Sequence, residues 1–206
     1  MRTTIVAALA MALAIAPLTA AEPAQTLAVN DCSHAEADGT RTLCQEAVVP
    51  AAPAAVWRLF SSGEGLSSWV APVTTMDLRV GGVWESSYRP DAHPGDAGNI
   101  RNRVLAFLPE HMLSVQVDHA PPGFPQPELV HNVWTVIELD PVGANQTRVR
   151  VSMAGYGAGA DYDELYAFFE RGNAFTLQKL NERIVSGPVN WAATRIPGQT
   201  ASGSRQ

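Results

Sequence analysis

The chain has 206 residues, with 14 Lys plus Arg against 20 Asp plus Glu, for a formal charge of −6. Hydrophobic residues are 46% and charged residues 17%, which excludes a disordered acidic tail and fits one folded domain plus extensions. The acidic balance argues against a nucleic-acid surface, because phosphate binding needs clustered positive charge.

The first 21 residues read as a signal peptide. Arg2 supplies a positive start, residues 5–16 form an uncharged apolar run, and small residues end at Ala20 or Ala21. The run is short for a membrane span of about 20 residues. The alternative is an uncleaved anchor. Cleavage after Ala21 removes Arg2 and no acid, so the mature charge becomes −7. Val29-Asn30-Asp31 before Cys32 is not a lipobox. A periplasmic or secreted protein with no integral membrane segment after cleavage is expected.

Residues 22–40 are polar and Ala-rich, and read as an N-terminal arm. Cys32 and Cys44 are the only cysteines, and an oxidising compartment allows them to pair. The bond would staple the arm to the first strand. The alternative is a metal site with His34, but two thiols and one imidazole leave it incomplete. No metal site and no cofactor is expected.

Residues 41–49 read as a strand. Pro53 suits the first turn of a helix whose apolar positions are Val56, Leu59 and Phe60, and a second short helix follows over 64–70. Strands over 74–80 and 83–89 flank Gly81-Gly82, a two-residue hairpin signal. Further strands are expected over 99–108, 112–119, 132–140 and 147–154, with a turn at Asn145-Gln146. The loop over 120–128 carries four prolines and belongs at an edge or mouth.

The last element is a long helix. Asp161 with Glu164 resembles a capping box, and Gly187-Pro188 ends the run. At about 100° per residue, Leu165, Tyr166, Phe168, Phe169, Phe175, Leu177, Leu180 and Ile184 cover roughly 200° of its surface. So wide an arc needs a concave partner, such as a curved antiparallel sheet. The segment over 188–206 reads as a flexible tail in which Trp191 can dock.

This order is α+β. It resembles the START-like (SRPBCC, helix-grip) superfamily, in the branch related to the C-terminal domain of the heat-shock chaperone ATPase activator. Several stretches carry the likeness: Pro50-Ala51-Ala52-Pro53-Ala54-Ala55-Val56-Trp57, Gly65-Leu66 with Trp69, Asp77-Leu78-Arg79-Val80-Gly81-Gly82, Gly98 to Val104 leading to Pro109, and Trp134. The likeness covers roughly residues 42–186 and sets the expected domain at 41–187. It implies a helix-grip fold, with a curved antiparallel sheet wrapped around the C-terminal helix. It also implies a cavity between the two for an apolar or amphipathic small molecule. It places no catalytic motif on this chain. Trp57, Trp69, Trp84, Tyr88, Phe107, Trp134, Phe168 and Phe169 are the candidate lining, and each alternatively fills the core.

The remaining chemistry is sparse. His34, His93, His111, His119 and His131 form no dense metal spacing. His119, Asp118 and His131 flank the proline loop and are candidates for a base or ligand set at the mouth. Glu85 alternates with Trp84, so with Trp84 inward it faces solvent; in the inverted register it becomes a buried acid and a general base. Gly155-Tyr156-Gly157-Ala158-Gly159 lacks a nucleophile and reads as a flexible connection and gate. Arg101 with Arg103, and Arg148 with Arg150, form a solvated face or turn one Arg inward to a ligand carboxylate. Three functions follow: a binder of a small hydrophobic or amphipathic ligand, an enzyme of hydrolase or cyclase type in the same cavity, or a chaperone-like interaction module.

Overall fold

The computed structural model describes residues 26–196. The leader over 1–21 therefore lies outside the described residues. One antiparallel sheet dominates, built from β1 (Asn30–Asp31), β2 (His34–Ala35), β3 (Arg41–Val49), β4 (Val73–Met76), β5 (Val83–Ser87), β6 (Ile100–Leu108), β7 (Met112–His119), β8 (Trp134–Gly143) and β9 (Gln146–Tyr156). Its order is β1-β3-β9-β8-β7-β6-β5-β4, with β2 also on β3. Two short helices, α1 (Pro53–Phe60) and α2 (Gly63–Ser67), follow β3, and α3 (Ala160–Ser186) closes the domain. The helix-grip arrangement expected from the sequence is the one observed.

Register shifts help the sheet curve. They interrupt β3 against β9 between Arg41 and Leu43, and β6 against β7 between Val104 and Ala106. Each unmatched residue adds local twist and bend, and the sheet wraps α3.

Two elements differ from their sequence expectation for local reasons. The hairpin between β4 and β5 is not a two-residue turn. The Gly81 N–H donates to the Val104 carbonyl, and the Val104 N–H to Gly82, so this pair extends the pairing with β6. The chain from Asp77 to Gly82 loops out, closed by Gly82 donating to the Arg79 carbonyl. A Cβ at Gly82 would sit 2.1 Å from the Asp77 carbonyl oxygen, so glycine is required there by close approach. Likewise no capping box forms on α3. Gly159 is its N-cap without side-chain capping, and Glu164 instead accepts from Gln126 at 2.6 Å. The β8–β9 turn is shifted one residue from Asn145-Gln146, because Gly143 pairs with Gln146.

The described residues on either side of the central domain pack against it. Cys32 and Cys44 are disulfide-bonded, and β1 and β2 pair with β3 on either side of that link. After α3, Val189 is 6% exposed, its N–H donates to Ser68, and the Trp191 indole donates to the Ser67 carbonyl at 3.0 Å. Trp191 thus docks, as the sequence allowed. Val189 and Trp191 add apolar area to the α1–α2 end of the core.

The core is divided. One cluster joins α1, α2 and the C-terminal half of α3 through Val56, Phe60, Leu66, Leu177 and Leu180. The other gathers Leu43, Val133, Met153, Tyr156 and Leu165 at the start of α3. Between them α3 carries Gly172 and Asn173, which leave a gap beside Phe168 and Phe169.

Candidate functional site

The gap between the two clusters is a cavity of about 530 Å³. That volume falls within the range of about 300–1,000 Å³ usual for small-molecule sites. Five strands supply its floor, mostly by alternation: Trp84 and Ser86 of β5, joined by Ser87 at its end, Ile100 and Asn102 of β6, Val115 and Val117 of β7, Thr135 and Ile137 of β8, Val151 and Met153 of β9. Phe168, Phe169, Gly172, Asn173 and Thr176 of α3 form the roof. A Cβ at Gly172 would meet nothing within 4 Å, so this turn of helix faces open space.

Of the eight aromatics read from the sequence, the structure brings five to the wall: Trp69, Trp84, Tyr88, Phe168 and Phe169. Trp57, Phe107 and Trp134 are not on it. Trp57 stacks on Phe107 with ring centroids 6.5 Å apart, and both belong to the closed core beneath α1. Trp134 is 41% exposed, because Thr135 and Ile137 take the inward positions of β8. Its ring lies over Gly155 on the outer face, where an added Cβ would be 3.1 Å from the indole.

Several wall residues were not singled out in the sequence. Phe124 reaches from the proline loop to Phe168 and Phe169, with centroids 4.9 and 5.9 Å away. An aromatic among four prolines at an expected mouth was the available signal. Gly172-Asn173, a helix-weakening pair in mid-helix, was another. Ile196, in the tail, and Arg89, just past β5, gave none.

The polar groups on the wall are few and mostly spoken for. The Trp84 indole donates to Ser86 Oγ at 2.8 Å. The Asn173 amide donates to the Met153 sulfur at 3.3 Å, and the Thr176 hydroxyl to the Gly172 carbonyl. Tyr88 packs edge-on against Trp191 at 5.9 Å. Burial pushes its hydroxyl up to about pKa 12, so it stays a neutral donor at neutral pH.

The acid–base candidates fall elsewhere. Glu85 is 8% exposed, yet it points away from the cavity, on the face of β5 opposite Trp84. Both sequence alternatives are thereby corrected. Trp84 is inward as the first required, but the loop after β5 folds back over Glu85 and shields it from solvent. Its Oε1 accepts from the Gly95 N–H at 2.7 Å and from Asn99 Nδ2 at 2.8 Å. His119 meets the Ala97 carbonyl and His131 the Val117 carbonyl, while Asp118 pairs with Arg103. The three thus form no common site. Among the described residues, no group of three or more His, Cys, Asp or Glu is placed to hold a metal ion.

The arginine pairs and the glycine-rich segment also resolve. Arg148 and Arg150 form ion pairs with Glu46 at 3.8 and 3.0 Å, and Arg150 also meets Glu138 at 3.7 Å. The hydrogen bond to Glu46 holds the Arg150 pKa above its ordinary value. None of these arginines, nor Arg101 or Arg103, lines the cavity. The linker before α3 is pinned. Arg41 donates to the Gly157 carbonyl at 3.0 Å, pairs with Asp163 at 2.8 Å and sits over the Tyr166 ring.

A family model described as polyketide cyclase / dehydrase and lipid transport matches residues 40–185, the sheet and helix that enclose this cavity. The chain belongs to that family. No curated protein matches in sequence. Solved structures agree on the fold of this family member. A conserved protein of unknown function from Enterococcus faecalis is similar at 17% identity and TM-score 0.57, over 80% of this chain and 82% of its own. The Aha1 dimer structure from Colwellia psychrerythraea matches at 18% and 0.56, over 71% and 97%. CalU16 from Micromonospora echinospora matches at 16% and 0.53, over 82% and 88%. The START-like assignment made from the sequence is supported by both comparisons.

Proposed function

We propose that this family member binds a small hydrophobic or amphipathic molecule in the cavity between sheet and α3, and that it does so outside the cytoplasm. The observation carrying the reading is the unfilled space of about 530 Å³ between two completed cores. A core without a ligand function gains about 25 cal/mol for each Å² of apolar surface it closes over. Here Gly172 and Asn173 stand where larger side chains would close it. The family description, which includes lipid transport, supports the same ligand class. The disulfide and the signal-peptide pattern support export.

Binding without chemistry is preferred over the catalytic alternative. Among the described residues, no Asp, Glu, His or Cys lines the cavity, and Glu85, the buried acid, faces the other way. The chaperone-like reading rests on fold likeness alone.

Native mass spectrometry of protein released gently from the periplasm tests the proposal. A co-purifying small molecule, or saturable uptake of the uncharged fluorophore N-phenyl-1-naphthylamine, is the expected result. Protein that carries nothing and takes up no apolar probe overturns it. Sequencing the N-terminus of the released protein tests export, and a chain beginning at Met1 counts against it.

A further inference from the structure

The ligand class can be narrowed, on the reading that the cavity binds an amphiphile. Among the described residues, Arg89 is the only charged side chain on the cavity wall. Two carboxylates, Asp91 and Asp96, stand within 4 Å of it but outside the cavity lining. The Arg89 side chain is 56% exposed, which places the guanidinium at the opening rather than in the depth.

That guanidinium is not tightly committed. Asp91 stands 3.5 Å from its Nε and Asp96 3.7 Å from an Nη. Charge-assisted pairs close to about 2.7–2.9 Å when fully formed. Asp96 has other work, accepting the His93 N–H at 2.9 Å and so shaping the loop. Gly98 lies beside the group, where a Cβ would be 3.4 Å from Nη1, so a side chain at this position would crowd the fork. Tyr88, the adjacent residue, adds a neutral hydroxyl on the same wall.

Inward from Arg89 the wall has no charge to balance an anion, and an unpaired buried anion is costly. An apolar body therefore fits the depth, and a negative end fits only at the opening. We infer that the cavity takes an anionic amphiphile, with its apolar body beneath α3 and a carboxylate or phosphate monoester on the Arg89 guanidinium.

The test is displacement of N-phenyl-1-naphthylamine from the full exported chain by laurate, dodecyl phosphate and methyl laurate. The expected result is that at least one anion displaces the probe about tenfold more tightly than the ester, the size of one net charge-assisted bond. Which anion is preferred distinguishes the carboxylate source from the phosphate source. In Arg89→Gln the anion-to-ester ratio falls to about one, and in Arg89→Lys it is largely retained. Because the ratio is internal to each variant, a modest change in stability leaves it readable. Equal displacement by anions and ester in the wild-type chain overturns this inference while leaving the binding reading intact. So does a ratio that survives Arg89→Gln. Failure of the probe and of all three competitors to bind overturns both.

Discussion

Glu85 and Asn99 face each other across the outer side of the sheet, Asn99 Nδ2 donating to Glu85 Oε1 at 2.8 Å. The same amide also donates to the His93 carbonyl at 2.8 Å, and Gly95 donates to the same Glu85 oxygen. One buried acid thus holds the loop that carries Arg89 toward the cavity opening. Its role is to position a segment, and it has no line to a ligand.

Removing that acid should loosen the loop at the opening while leaving the apolar depth of the cavity in place. Glu85→Ala leaves two donors without their acceptor and is expected to cost about 1–3 kcal/mol in urea unfolding. Hydrogen exchange at the Gly95 amide should accelerate. Glu85→Gln keeps an acceptor oxygen and should fall between. Both variants are expected to retain uptake of the uncharged fluorophore; its loss would return Glu85 to the site.

Gly172 separates stability from binding. Gly172→Ala should raise stability by about 1 kcal/mol, since glycine in a helix interior is that much less favourable than alanine and its Cβ meets no atom within 4 Å. Gly172→Phe should fill the space that a ligand would use and abolish fluorophore uptake with the fold retained. Circular dichroism with a fluorescence titration reads both effects. Full uptake by Gly172→Phe would contradict the cavity as the binding site.

The disulfide closes a short loop, with Cys32 and Cys44 twelve residues apart in sequence. Chain-entropy arithmetic gives about 3 kcal/mol for a loop of this size. Cys32→Ser, or reduction, should therefore lower the urea midpoint by the equivalent amount. The change should be local, with faster exchange at β1 and β2. An unchanged midpoint would show that the arm contributes nothing through its link.

Tyr88 gives a pH dependence. Its folded pKa, about 12, lies above the ordinary 10.0 because burial disfavours the phenolate. The neutral form is favoured on folding. Its contribution is complete below pH 10 and is lost as pH rises through 12. Burial raises the Tyr156 hydroxyl in the same direction. Absorbance titration at 295 nm should leave these two tyrosines neutral at pH 11. Trp191→Ala, which uncovers the Tyr88 ring, should move one transition back toward pH 10.

Much of the fold was legible because it rests on local rules. Pro53 begins α1, and Gly187 ends α3. Alternation assigned the strands, and the wide apolar arc of α3 called for a concave partner. The cavity wall was legible where an inward position happened to be aromatic, as at Trp84 and Phe168. It failed at Trp134, since residue type does not reveal parity, and the pairing of Thr135 with Met153 fixes which face of β8 is inward. It failed at Trp57 and Phe107 because a core aromatic and a wall aromatic have the same periodicity.

The amino-acid sequence alone determined the main strands and helices, their order and the chance for Cys32 to meet Cys44. These follow from steric and hydrophobic periodicities that act within a few residues. Tertiary structure alone decided where the packing stops. Glu85 became a buried anchor only when residues 93–99 folded back over it. Arg89 came to the cavity opening, and Ile196 to its wall, only when distant segments docked. Such outcomes depend on which surfaces meet across the sheet, and no local pattern encodes them.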